Sequence, residues 1–138
     1  MRLIREFDAP PEKAFRAHVD PDLFVQWNWI DDYTVTFDHF DCRTGGAYRI
    51  TMSGPEMAGS VHGSFHDVVP NERIVQTFSP DGMPDLVVLE RRTFEDLGDG
   101  RTRLTSQSLV ESFEYREVFL DAELVQAWTR LDALLATL

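Results

Sequence analysis

Four histidines and one cysteine are the first candidates for metal or proton chemistry in this chain, and their spacing argues against most of it. His62 and His66 lie four apart. On a helix that interval can chelate one ion, but the surrounding alternation predicts a strand, where it separates the two side chains by about 13 Å. His39 and Cys42 lie closer together beside Asp38 and Asp41, yet two ligands so arranged match no zinc pattern. No metal and no cofactor is expected. His18 falls at the end of a predicted helix, where a positive side chain suits the dipole, and reads as a cap rather than a catalyst. Cys42 sits in a turn with no base pattern near it and reads as a bystander. Gly45-Gly46 lacks the third glycine, the preceding strand and the following helix of a dinucleotide site, so a tight hairpin turn explains it better. Acidic pairs such as Asp31-Asp32 and Glu95-Asp96 read as solvated loop charges.

The acids dominate the chain as a whole. Lysine plus arginine number 13 against 24 aspartate plus glutamate, a formal net charge of -11, and the pI is about 4.6. Such a charge repels a phosphate backbone and disfavours anionic lipid, so neither nucleic acid nor membrane is expected as a partner. No apolar run approaches a membrane span, and the start MRLIREFDAP lacks a signal peptide's apolar stretch, which leads to the expectation of a cytoplasmic protein. A single cysteine excludes an internal disulfide. With 138 residues, 43% of them hydrophobic, the chain can fill one core, and residues 1–138 are read as a single domain.

The elements that must position any site follow from periodicity. Residues 2–8 read as a strand with Leu3 inward and with Ile4 and Phe7 out of strict phase, stopped by Asp8-Ala9-Pro10-Pro11. Residues 11–19 gather Ala14, Phe15, Ala17 and Val19 on one side of a helix. Asp20-Pro21 then starts a short second helix carrying Leu23, Phe24 and Trp27. From Tyr33 to Leu109 the period is two, with turn clusters between strands at 33–40, 46–53, 60–69, 73–79, 86–95 and 102–109, an antiparallel meander. From Phe113 onward Tyr115, Val118, Ala122, Val125, Trp128, Leu131, Leu135 and Leu138 recur at steps of three and four, predicting one long amphipathic helix. At about 26 residues it would reach about 40 Å, enough to lie across a curved sheet and leave a small-molecule space beneath it.

The stretches REFDAPPEKAFRAHVDPDLFVQW, FDCRTGGAYRITMSGPE, GSFHDVVPNERIVQTF, RRTFEDLGDGRTRLT and AWTRLDALLATL resemble, in order, the successive motifs of the activator of heat-shock protein 90 ATPase homologue family. That family lies in the START-like (SRPBCC), polyketide-cyclase-like superfamily. The resemblance spans nearly the whole chain and implies an α+β helix-grip fold: a curved antiparallel sheet of about seven strands around a long C-terminal helix, with two short helices after the first strand. Superfamily members include lipid carriers, receptors, cyclases and co-chaperone domains, so the fold alone names no activity. Where the family often has a tryptophan pair this chain has Trp27-Asn28, and where a glycine usually precedes the helix tryptophan it has Ala127-Trp128.

The matching motif implies that Phe94 faces inward, and strand alternation then turns Arg92 and Glu90 the same way. By the same logic Leu104 brings Ser106 and Ser108 inward, and Ile74 and Phe78 bring Gln76. At about 7 Å along one strand face, Glu90 and Arg92 can pair. An uncompensated charge there would cost several kcal/mol, so the two should be paired, solvated or ligand-bound. The alternative is a bulge after Leu86–Leu89 that turns both to solvent. The aromatic residues Trp27, Tyr48, Phe65, Phe78, Phe119 and Trp128 should converge on the same interior, most as core and some as cavity lining.

Three functions compete. The first is non-catalytic binding of a small, largely apolar or aromatic molecule, its polar end met by Arg92, Glu90, Gln76 or Ser106, in a closed and roomy cavity. The second is a cyclase- or hydrolase-like enzyme in which Glu90, whose pKa burial would raise, or a histidine moves a proton on a bound aromatic or polyketide-like substrate. The third is a co-chaperone or interaction module that uses its acidic exterior to bind a protein partner, a chaperone among the possibilities. Binding without catalysis is favoured, and open sheet edges leave both a monomer and a homodimer possible.

Overall fold

The computed structural model describes residues 1–28, 32–55, 58–110 and 121–138. The elements run β1 (Arg2–Phe7), α1 (Pro11–Val19), α2 (Pro21–Phe24), β2 (Thr34–Phe40), β3 (Ala47–Ser53), β4 (Ala58–Val69), β5 (Arg73–Pro80), β6 (Val88–Gly98), β7 (Arg101–Leu109) and α3 (Asp121–Leu135). The strands form one antiparallel sheet in the order β1-β7-β6-β5-β4-β3-β2. Strands β2 to β7 are a simple meander, and β1 returns to the free side of β7. This is a helix-grip fold: a curved seven-stranded sheet with helices on its inner face.

Local chemistry sets the boundaries of α1 and α2. Pro11 opens α1, where a missing N–H costs nothing, and Asp20 caps α2 by accepting from the Asp22 amide at 3.0 Å. The inner face of the sheet supplies Phe7, Ile50, Phe65, Ile74, Phe94 and Leu104 to the core, which Ala14 and Ala17 of α1 and Trp128, Leu131 and Leu135 of α3 close. Polar ties hold the layers in register. Arg5 of β1 donates to Thr129 at 3.3 Å and pairs with Asp132 of α3. Thr102 of β7 donates to the Ala9 carbonyl at 2.7 Å.

Three details differ from the periodicity reading. Phe7 is in phase with Leu3 and fully buried, so only Ile4 breaks the pattern of β1, and it is exposed. On α1 the buried set is Ala14, Phe15, Ala17 and His18; Val19 lies at the margin. On α3 Val125 is 44% exposed, and the buried stripe runs through Ala127, Trp128, Leu131 and Leu135 instead. The helix is described over 15 residues, and the expected first part from Phe113 to Leu120 lies outside the described residues.

Candidate functional site

The site grows from adjacent strands of the sheet, β3, β4, β5 and β6. Strands β5 and β6 pair without a register shift from Arg73↔Thr93 to Phe78↔Val88, so the bulge that would turn Glu90 and Arg92 to solvent is not there; the irregularity on β6 comes later, at Asp96/Gly98. Arg92 and Glu90 therefore face inward with Phe94, with side chains only 11% and 14% exposed, and the guanidinium donates to Glu90 at 2.9 Å. Gln76 lies opposite Glu90 on β5 and accepts from Arg92 at 2.8 Å. Through its amide nitrogen Gln76 reaches the Tyr48 hydroxyl at 3.4 Å. Ser106 is buried on β7 directly opposite Arg92.

Glycines make room for the aromatic half of the site. Tyr48 on β3 stands opposite Gly63 on β4, and its hydroxyl passes over that residue to donate to the Thr77 carbonyl at 2.7 Å. A Cβ on Gly63 would lie 1.9 Å from that same carbonyl oxygen, so any side chain there would displace the tyrosine's anchor. Gly45, at φ +85°, and Gly46 form the expected tight turn. Their backbone exchanges hydrogen bonds of 2.9 Å with both polar groups of Phe65, which fixes that ring against Tyr48 with centroids 5.3 Å apart.

The inward histidine is the main surprise. His18 is 2% exposed, wedged between the rings of Trp27 (4.8 Å) and Phe94 (5.0 Å), with Nδ1 2.7 Å from the Ala14 carbonyl. Burial, with help from the Arg92 charge, lowers its pKa to about 3. It is thus neutral at physiological pH, and the reading of His18 as a charged helix cap is corrected. The same two influences act on its neighbours. Burial pushes the Cys42 thiol up to about 12 despite the opposing pull of Arg92, leaving it protonated and unreactive. Burial first, then the Glu90 charge, raises the Tyr48 hydroxyl well above its ordinary range.

Neutral His18 makes stability depend on pH. Its folded pKa of about 3 lies below the usual 6.5, so the unfolded chain binds the extra proton between those values, and stability is lost as pH falls through that window. Urea unfolding at a series of pH values should show a shallower acid decline in His18→Gln than in the parent. Equal declines in the two proteins would show that His18 is not the group responsible.

His18, Gln76, Arg92, Tyr48 and Phe65 border one cavity, completed by Phe24, Phe40, Ile50 and Ile74. Its volume is about 20 Å³, room for about one water molecule. Of the residues singled out from sequence, Tyr48, Phe65, Gln76 and Arg92 line it, and Glu90 reaches it through Arg92. Trp27 stands behind His18, Phe78 is only half-buried at the edge of the core, and Trp128 packs edge-on against Phe7 at 6.0 Å. Phe119 lies outside the described residues. Two buried polar atoms of the lining residues, His18 Nε2 and Arg92 Nε, have no hydrogen-bond partner among the described residues. His18, Phe24, Phe40, Ile50 and Ile74 border the cavity without having been singled out as site residues from sequence. The four-residue step from Ala14 to His18 was the available signal, because it puts the histidine on the buried face of α1.

Elsewhere the histidines and acids are surface features. His62 and Arg49 share the carboxylate of Asp81 at 2.9 and 2.6 Å, all three exposed. Among the described residues, no three histidine, cysteine, aspartate or glutamate side chains come together as a metal site, and no helix is long and apolar enough to cross a membrane.

Residues 8–136 match the family described as Activator of Hsp90 ATPase homolog 1-like protein. The chain belongs to that family. No curated protein is significantly similar to it. A solved structure from Chromobacterium violaceum is 26% identical, with a TM-score of 0.82 over 98% of this chain and 95% of the other. One from Rhodobacter sphaeroides is 25% identical, with a TM-score of 0.87 over 99% and 92%. A third, from Nitrosomonas europaea, is 22% identical with a TM-score of 0.82 over 99% and 94%, a likeness of fold. The helix-grip fold is consistent with membership in this family.

Proposed function

We propose that this member of the family binds a small, largely apolar molecule at the cavity between the inner face of the sheet and helices α1 and α2, without converting it. The observation that carries this reading is the Arg92–Glu90 pair with Gln76, set inward among Phe24, Phe40, Phe65 and Tyr48. A buried ion pair is a poor way to stabilise a core, since apolar residues of similar volume do as well or better. Recognition of a ligand's polar end accounts for it. The chemistry of the neighbours weighs toward binding: His18 is a weak base, Cys42 holds its proton, and Glu90 is engaged by Arg92.

A molecule larger than water enters by displacing side chains. The rings of Phe37 and Phe40 are the ones that yield, because they come from β2, an edge strand paired on one side only and shifted in register between Phe37 and His39. The ligand's apolar body takes their place against Phe24 and Phe65, and its polar end lies toward Arg92.

A thermal-shift screen against apolar, aromatic and lipid-like compounds tests this. A ligand at about 100 times its Kd adds about 2.7 kcal/mol and raises the Tm by several degrees. The shift should vanish in the double variant Glu90→Leu/Arg92→Leu, which removes the polar anchor without leaving a lone buried charge. No shift across the panel would sink the binding reading and favour the chaperone partner that the family's description suggests, to be sought by pull-down.

A further inference from the structure

We infer that the polar end of the molecule held here is an uncharged hydroxyl group, placed to donate to His18 Nε2 and to accept from Arg92 Nε; this rests on the binding reading above. The Ala14 oxygen can only accept, so at 2.7 Å from Nδ1 it requires the proton on that nitrogen, and neutral His18 then carries a bare lone pair on Nε2. The Nε of Arg92 always carries a hydrogen. Neither atom has a partner among the described residues, and both residues border the same space of about 20 Å³. One oxygen atom fills such a space. The residues lining this space therefore hold one unanswered acceptor and one unanswered donor.

Charge and valence select among the groups that could supply that atom. A carboxylate has no proton for Nε2, and it would bring a second negative charge beside Glu90, which already balances Arg92 at 2.9 Å. An ammonium would set a cation against the guanidinium and leave its Nε–H unanswered. An ether or ketone answers Arg92 and leaves His18 orphaned. A hydroxyl answers both through one oxygen. Each bond left unmade in a buried site costs the desolvation of the orphaned group, which is how a polar pocket rejects an analogue lacking the group it was built for. Burial keeps His18 neutral across the physiological range, so the lone pair is present whenever the protein works. Phe24 and Phe65, with the place that Phe40 yields, suit an aromatic or aliphatic body carrying that hydroxyl.

Water could answer the same two atoms, so the test must separate a hydroxyl ligand from solvent. Four compounds of one shape suffice: para-propylphenol, para-propylanisole, para-propylbenzoate and propylbenzene, titrated into the full chain at neutral pH by NMR. The phenol should bind about ten-fold tighter than each of the other three. It alone should move the His18 Nε2 resonance in isotope-labelled protein. Equal affinity for phenol and propylbenzene would mean that water keeps the polar position. Equal affinity for phenol and anisole, or a preference for the benzoate, would likewise overturn the hydroxyl assignment while leaving the site intact. Failure of all four to bind would remove the site itself, and the assignment with it. Because the series uses the unmodified protein, no outcome depends on a variant that fails to fold.

Discussion

Glu90→Leu should destabilise the protein by about 3 kcal/mol or more, whereas Glu90→Leu combined with Arg92→Leu should return stability to within about 1 kcal/mol of the parent. In the single variant Arg92 keeps its bond to Gln76 but loses the carboxylate 2.9 Å away, and a side chain only 11% exposed is left holding an uncompensated charge. The neighbours cannot take up that charge: His18, Cys42 and Tyr48 are neutral and are held so by burial. The double variant removes both charges at once and fills the space with apolar atoms, so the desolvation of two ions is recovered along with the loss of their attraction. A urea-denaturation cycle over the four proteins isolates the coupling. A double variant as unstable as the two single variants summed would mean that the pair is a structural necessity, and the argument that it serves recognition would lose its footing.

The inward placement of this pair was legible because a strand has a period of two. Once Phe94 is buried, Arg92 and Glu90 share its face in any unbroken strand, and the only question was whether a bulge intervened. Local sequence does not answer that question, since it depends on whether β5 can keep pairing as far as Phe78↔Val88. Gln76 and Ser106 followed from the same phase argument and are buried. His18 did not follow, because at the end of a short helix a histidine can serve the dipole or pack inward. What decides is the docking of α1 against Phe94 and Trp27, a contact between residues far apart in sequence. On α3 a stripe at steps of three and four admits either Val125 or Ala127 beside Trp128, and only the sheet beneath selects the second. Ring type was no guide to the cavity. Trp27 and Trp128 are each only 1% exposed yet do not line it, while half-buried Phe40 does, since lining depends on where packing stops rather than on how apolar a residue is.

Trp27→Ala should cost about 4 kcal/mol, and Trp27→Phe about 1 to 3 kcal/mol, for different reasons. The tryptophan is 1% exposed and joins three parts of the fold. Its Nε1 donates to the Ala17 carbonyl at 2.9 Å, near the end of α1; its ring meets Phe24 at 5.2 Å; and its own carbonyl accepts from Arg130 of α3 at 3.1 Å. Alanine leaves a cavity where the indole stood, whereas phenylalanine keeps most of the ring and strands the Ala17 carbonyl without its donor. Both variants also remove part of the wall behind His18, whose ring lies 4.8 Å from the indole. Water admitted there would weaken the burial that holds the imidazole neutral. The His18 pKa should accordingly climb from about 3 toward its usual 6.5, further in Trp27→Ala than in Trp27→Phe. Urea unfolding gives the two stabilities, and NMR titration of the His18 ring gives the pKa. A pKa that stays near its parent value in both variants, with stability lost as expected, would show that packing from Phe94 and the Arg92 charge suffice to keep the lone pair free. Movement of the pKa in step with the lost ring would show that Trp27 keeps the site dry without ever touching the space it guards.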